Sequence, residues 1–433
     1  MGKPVLSAAP GTRERNPLRR FLKLLGPGLI TGCADDDPSG IGTYATAGAS
    51  LGYSLLWTAL VTFPAMAGVQ FICARIGLVS GMGLARVLRK HYSRALLYPV
   101  VIGLLAANTI NAGTDIGAIA AAVNLLVPIP IHVVIIPIGI SIVVLQIWAS
   151  YRVIARTFKW LTLSLFAYVG AGLLANPDAG EVLRATFIPT LRLDQTFLLT
   201  LVAVLGTTIS PYLFFWQASQ EVEEEVGIGR RHLWQRKGAT KEELRTAEWD
   251  VDIGMLFSIA IMYFIMLATG ATLFKAGTRE ITSAVEAAQA LRPLAGDAAG
   301  LLFALGLIGT GFLAVPILTG SAAFAVAEAW GWRSGLDERL RRAWGFYGTI
   351  AAATLIGITI NFLGINPIKA LFWTAVINGF LAPPLLVVIM RIANDRRVMG
   401  DAVNSRGLNV VGWATTALMF AAAGALIWAW IGD

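Results

Sequence analysis

Charge is scarce in this chain: only 14% of its 433 residues are Asp, Glu, Lys or Arg, against roughly a quarter in an average soluble domain. A water-facing surface of that size would have too few solvated side chains, so a soluble enzyme is excluded. The 56% hydrophobic content and the mean hydropathy of +0.68 exclude a disordered scaffold as well. Cysteine is almost missing. Cys33 and Cys73 both sit in apolar runs, which leaves no disulfide framework. The three histidines, His91, His132 and His232, are scattered and show no metal-ligand spacing. Nothing resembles a cleavable leader, because the first 20 residues are polar and Arg-rich and the apolar segment behind them is too long.

What the chain has instead is long apolar stretches. Stretches of about 20 residues, enough to cross a bilayer, give about eleven candidate helices. They lie near 22–46, 50–75, 96–126, 131–150, 155–175, 197–222, 250–274, 298–328, 345–363, 369–390 and 410–431. An all-α membrane protein is expected. Residues 1–21 read as a cytoplasmic tail, and 22–431 as a single transmembrane domain. The stretch 223–249 mixes both charge signs, is too short to bury a core, and reads as a cytoplasmic loop.

The basic residues orient this array. With the N-terminus in the cytoplasm, 28 of the 34 Lys and Arg fall in cytoplasmic segments. The outer loops keep six: Arg184, Arg192, Lys275, Arg279, Arg292 and Lys369. A miscounted span would scramble that split. The formal charge of +8 is therefore a topology signal, with membrane lipid as its partner and no nucleic acid. The expected location is the plasma (inner) membrane, with the C-terminus outside.

Two spans are interrupted. In the first, Asp35, Asp36, Asp37, Pro38, Ser39 and Gly40 stand near the middle. A carboxylate at that depth costs at least roughly 2.5–3.5 kcal/mol, and here three are consecutive. Pro38 removes a backbone donor and disfavours helix at Asp37, so a broken helix is expected. Its freed backbone must face protein or water. The sixth span carries Gly206, Thr207, Thr208, Ser210 and Pro211 about half-way along. Two broken helices, each opening one half of a five-plus-five array, point to an inverted-repeat carrier with its site at the breaks. The repeats would run over about 22–175 and 197–390, with an extra helix at about 410–431.

The third span adds Asn108, Asn111, Thr114 and Asp115 on one helical face, an expected lining of the ion path or packing glue. The acids Glu221, Glu223, Glu224 and Glu225 end the sixth span, and read first as a solvated helix terminus and second as an electrostatic funnel.

These residues resemble a known family. GPGLITGCADDDPSG is similar to the first-helix signature of the NRAMP divalent-metal transporters, and TDIGAIAAAVNLL and GTTISPYLFFWQ extend the likeness to the third and sixth spans. The resemblance implies a LeuT-type fold, with helices 1 and 6 unwound around a midplane ion. It assigns Asp37 to the metal-binding aspartate and Asp115 to an acid of the proton route. Other positions depart from the family. Gly40 replaces an Asn, Ser210 the thioether Met, and Thr207 an Ala, while Tyr212 and Gln217 replace two histidines and Ala118 an acid. In this the chain resembles a divergent branch that includes magnesium transporters.

Those losses have a chemical direction. Thioethers favour soft metals, whereas carboxylate, hydroxyl, carbonyl and water suit Mg²⁺ and Mn²⁺. The expected metal ligands are Asp37, Asp36, Thr207 and Ser210, with Asp115, Asn111, Tyr212 and Gln217 along the ion or proton route. Pro38, Ser39, Gly40 and Pro211 make the breaks. The expected activity is transport without enzymatic chemistry or a cofactor: a carrier of a hard divalent cation, Mg²⁺ or Mn²⁺, with weak or no proton coupling. The competing readings are a proton-coupled Mn²⁺/Fe²⁺ symporter and a LeuT-fold carrier of an organic amine or amino acid. An intramembrane aspartyl protease built on Asp37 and Asp115 lacks the Gly-x-Gly-Asp context.

Overall fold

A computed structural model describes residues 26–148, 163–336 and 338–432. The expected tail 1–21, the start of the first span and much of the fifth span, 155–175, lie outside the described residues. Within them the chain is helical and shows no strand. We number the principal helices α1 (Pro27–Asp35), α2 (Pro38–Leu51), α3 (Thr58–Ser80), α4 (Arg94–Leu126), α5 (Ile131–Trp148) and α6 (Phe166–Leu174). There follow α7 (Gln195–Thr208), α8 (Pro211–Gly227), α9 (Lys241–Thr269), α10 (Ala299–Trp330), α11 (Trp344–Ile360), α12 (Pro367–Ala393) and α13 (Arg406–Gly432).

Among the described residues nine helices are long and apolar enough to span a bilayer, counting α7 and α8 as one. The sequence count of about eleven exceeds this by the split first helix and by the fifth, of which α6 is the described part. The α7–α8 span is the centre of the molecule, with 94% of its apolar window buried, against 33% for α5 and for α11. The latter two therefore present most of their Ile, Val and Leu side chains outward, as lipid contact requires.

The expected loop 223–249 is shorter in the structure. Helix α8 runs on to Gly227 and α9 starts at Lys241 behind a Thr240–Glu243 capping box. Capping and charge extend helices past the apolar segment, and an apolarity count does not see this. Arg230 ties the two ends together through Glu225 (2.7 Å) and Glu243 (2.6 Å). Partial burial works against its charge, but the two carboxylates outweigh that and raise its pKa.

Helix α1 packs on α9 backbone to backbone. Gly28 and Gly32, one turn apart, face Gly254, and a Cβ on Gly32 or Gly254 would overlap the opposing carbonyl. Gly254→Val is expected to push the helices apart and to lower stability by about 1–3 kcal/mol. Thermal unfolding in detergent checks this, and an unchanged midpoint would contradict the close approach.

Candidate ion site at the two helix breaks

The first break follows from Asp-Pro chemistry. Asp36 leaves helical geometry (φ −79°, ψ 47°), and Asp37 is extended (φ −66°, ψ 168°). Pro38 then starts α2, where its missing N–H costs nothing. Asp37 is the N-cap of α2. Its Oδ1 accepts from the Gly40 amide (2.6 Å) and the Ser39 hydroxyl (2.9 Å), and its Oδ2 accepts from Asn111 Nδ2 (3.1 Å). Cap, helix dipole and Asn111 thus fix one carboxylate at the break. It is 1% exposed.

The second break is built in a similar way. Helix α7 ends at Thr208, Ile209 and Ser210 are non-helical, and Pro211 starts α8. The Ser210 hydroxyl donates back to the Thr207 carbonyl (2.5 Å) and the Gly206 carbonyl (3.1 Å), which keeps its lone pairs available. Thr207 lies beside the Tyr44 hydroxyl on α2 without a completed hydrogen bond, whereas the Thr208 hydroxyl is spent on the Val204 carbonyl (2.6 Å). Tyr212 joins the breaks, donating its hydroxyl to the Ala34 carbonyl at the end of α1 (3.0 Å).

Helix α4 supplies the third wall. Asn111 reaches Asp37, and buried Asp115 lies against the Ser39 backbone amide. Asn108 donates instead to the Leu318 carbonyl of α10 (3.0 Å), an interhelical tie. So Asp37, Asn111, Asp115, Thr207, Ser210 and Tyr212 are gathered around the two breaks. Gln217 is not among them. It accepts from Thr31 (2.7 Å) and donates to Glu221 (2.9 Å), along the flank of α1. Asp36 is turned away from Asn111 toward α9. There the Ser258 hydroxyl stands 2.6 Å from Asp35 Oδ2 and 3.3 Å from Asp36 Oδ1. Of the acidic run on α8, Glu221 and Glu225 are buried, so it is not a uniformly solvated terminus.

Sequence reasoning missed Ser258, Tyr44 and Asp250. The last is held by three backbone amides of one helix start. From α9 it accepts the backbone amides of Gly26 (2.8 Å), Gly28 (2.6 Å) and Leu29 (3.2 Å), capping α1 from another helix. The one available signal was an acid at the start of an apolar run, in AEWDVDIG. Ser258, a lone hydroxyl among apolar residues, gave none.

Among the described residues no three His, Cys, Asp or Glu side chains converge to enclose a metal. The donor set at the breaks is oxygen from one or two carboxylates, hydroxyls, an amide and freed carbonyls. That suits a partly hydrated hard ion. Cys73 is fully buried on α3, and Cys33 is half-buried on α1. Against Pro38 lies a void of about 10 Å³ lined by apolar side chains, including Ile41, Phe303, Leu307 and Leu371. It has room for about one water.

Comparison with known proteins gives a consistent picture. A family model for Nramp, described as natural resistance-associated macrophage protein-like, matches residues 28–429. The divalent metal cation transporter MntH of Deinococcus radiodurans is 28% identical over 434 residues, covering 98% of this chain and 93% of that one. MntH of Klebsiella pneumoniae is 26% identical over 413 residues, 94% of each chain. Among solved structures, the Eremococcus coleocola manganese transporter superposes with a TM-score of 0.73 at 21% identity, covering 98% of this chain and 90% of that one. Inward-facing Mhp1 superposes at 0.54 and 14% identity, covering 93% and 90%. These structural likenesses show the fold, a LeuT-type inverted repeat with broken first and sixth helices.

Proposed function

The chain belongs to the Nramp family, as a divalent metal cation transporter and not an enzyme, and we propose that its cargo is a hard ion, Mg²⁺ or Mn²⁺, moved by alternating access. One observation supports this above the others: the groups that the described residues gather at the breaks are oxygen donors, with Ser210 and Thr207 on one side and Asp37 with Asn111 on the other. Asp36, turned toward Ser258 on α9, stands outside this donor set. We place the protein in the plasma (inner) membrane, N-terminus inside and C-terminus outside, on the distribution of its basic residues.

Coupling to protons is weak or absent in this reading. Tyr212 and Gln217 stand where the resembled family has histidines, and both are tied into hydrogen bonds that hold α1. Neither titrates usefully near neutral pH. Asp115 is the one acid left on α4 within reach of Asp37. The test is uptake of Mg²⁺, Mn²⁺, Ca²⁺ and Cd²⁺ into proteoliposomes side by side, with lumenal pH recorded and the potential clamped. Mg²⁺ or Mn²⁺ flux without acidification is expected, and Cd²⁺ is expected to gain nothing over Mn²⁺. Ion-dependent acidification that disappears in Asp115→Asn would restore a proton-coupled Mn²⁺/Fe²⁺ symporter.

A further inference from the structure

The first break has two faces, and the site described above uses only one. Asp37 turns toward α4, where all its near partners are donors. Asp35 and Asp36 turn the other way, toward Ser258 on α9. All three carboxylates are at most 1% exposed.

The α9 side is short of positive charge. The Ser258 hydroxyl carries one proton and stands between two carboxylates, 2.6 Å from Asp35 Oδ2 and 3.3 Å from Asp36 Oδ1. It satisfies one and leaves the other. Asp35 Oδ1 and Asp36 Oδ2 have no partner at all among the described residues. Among the described residues the electrostatic neighbours of Asp35 and Asp36 are each other, Asp37 and Ser258, with no Lys, Arg or His. Tyr44, fully buried on α2, lies beside both and approaches Thr207 without completing a hydrogen bond in good geometry. The end of α1 adds to the deficit, since its last carbonyls carry the negative end of the helix dipole into the same space. Two carboxylates at a helix C-terminus with open oxygens and no basic partner among the described residues are an arrangement that a cation completes.

We propose that Asp35, Asp36 and Ser258 form a second cation site, distinct from that of Asp37, which takes a hard divalent ion. A divalent ion offsets the charge of the pair, and carboxylate and hydroxyl oxygens are the donors that Mg²⁺ and Mn²⁺ accept. When the ion sits between the carboxylates, the Ser258 hydroxyl turns a lone pair to it and gives up its bond to Asp35. The proposal rests on the divalent-carrier reading, and it adds a second bound ion per chain to it.

Equilibrium dialysis of the purified full-length chain against Mn²⁺ counts the ions. Two per chain are expected in the wild type, and one in Asp35→Asn, in Asp36→Asn and in Asp37→Ala. Ser258→Ala, the mildest change, is expected to weaken the second binding step by about tenfold or more, and Ser258→Thr to restore it. A monodisperse elution profile separates loss of an ion from loss of the fold. A single ion in the wild type, abolished by Asp37→Ala and kept by Asp35→Asn, would overturn the second site while leaving the proposed function intact. Displacement of the second ion by Na⁺ at equal concentration would overturn the divalent assignment. Retention of both ions in Asp37→Ala, with one lost in Asp35→Asn, would support the pair and refute the site at Asp37.

Discussion

Asp37→Ala is expected to abolish divalent-ion uptake into proteoliposomes while the protein still inserts and elutes as one species. The carboxylate has two separable jobs. As N-cap of α2 it accepts from Gly40 and Ser39 through Oδ1, and losing a cap costs about 0.5–2 kcal/mol. A buried helical array with α7 and α8 at its centre tolerates that. As the charged group between the breaks, it is the one carboxylate that Asn111 holds in place on the α4 side. Replacing it with Ala leaves hydroxyls, an amide and carbonyls, which do not compensate for the dehydration of a hard divalent ion. Asp37→Asn separates the jobs, since its amide oxygen still accepts from Gly40 while the charge is gone. A loss of uptake of about a hundredfold or more, roughly 2.7 kcal/mol, is expected there too. Full Mn²⁺ and Mg²⁺ flux in Asp37→Ala would sink the assignment.

The two breaks were legible because proline and aspartate act locally. Asp37-Pro38 and Ser210-Pro211 each place a residue in extended geometry immediately before a helix start, and the structure breaks at both points. The stripe Asn111 and Asp115 was legible from helical spacing, and both residues reach the first break. What could not be read was which face each polar side chain takes once the helix is unwound. On a regular helix Asp35, Asp36 and Asp37 would fan out by about 100° each. The kink at Asp36 instead sends two of them to α9 and one to α4. Asp250 was invisible for another reason. Its partners are backbone amides more than 200 positions away, carried by Gly26, Gly28 and Leu29. Backbone groups leave no mark on composition, so a carboxylate that caps another helix looks like any acid at a membrane edge. Gln217 shows the converse, since its place in a family motif suggested the ion path while its amide is spent on Thr31 and Glu221.

Ser210→Met is expected to raise the preference for Cd²⁺ over Mg²⁺ at least tenfold, about 1.4 kcal/mol. Ser210 sits at the second break, 2% exposed, with its hydroxyl directed into the carbonyls of Thr207 and Gly206. Methionine removes that donor, frees both carbonyls and brings a thioether to a position that now offers only oxygen. Cadmium gains from sulfur, whereas Mg²⁺ gains nothing. The added volume has a cost of its own, about 1–3 kcal/mol of stability in a packed position, partly offset by the flexibility of the Met side chain. Volume and sulfur must therefore be told apart. Ser210→Leu supplies similar bulk without sulfur, and it is expected to lower stability and uptake of every ion without favouring Cd²⁺. The measurement is competition of Cd²⁺ and Mg²⁺ against Mn²⁺ binding in the three proteins at fixed pH. An equal shift in the Leu and Met variants would mean that Ser210 does not face the ion. A wild type that already binds Cd²⁺ far more tightly than Mn²⁺ would place a sulfur ligand in the native site. Cys33, one turn before Asp37 on α1, would then be the residue to replace.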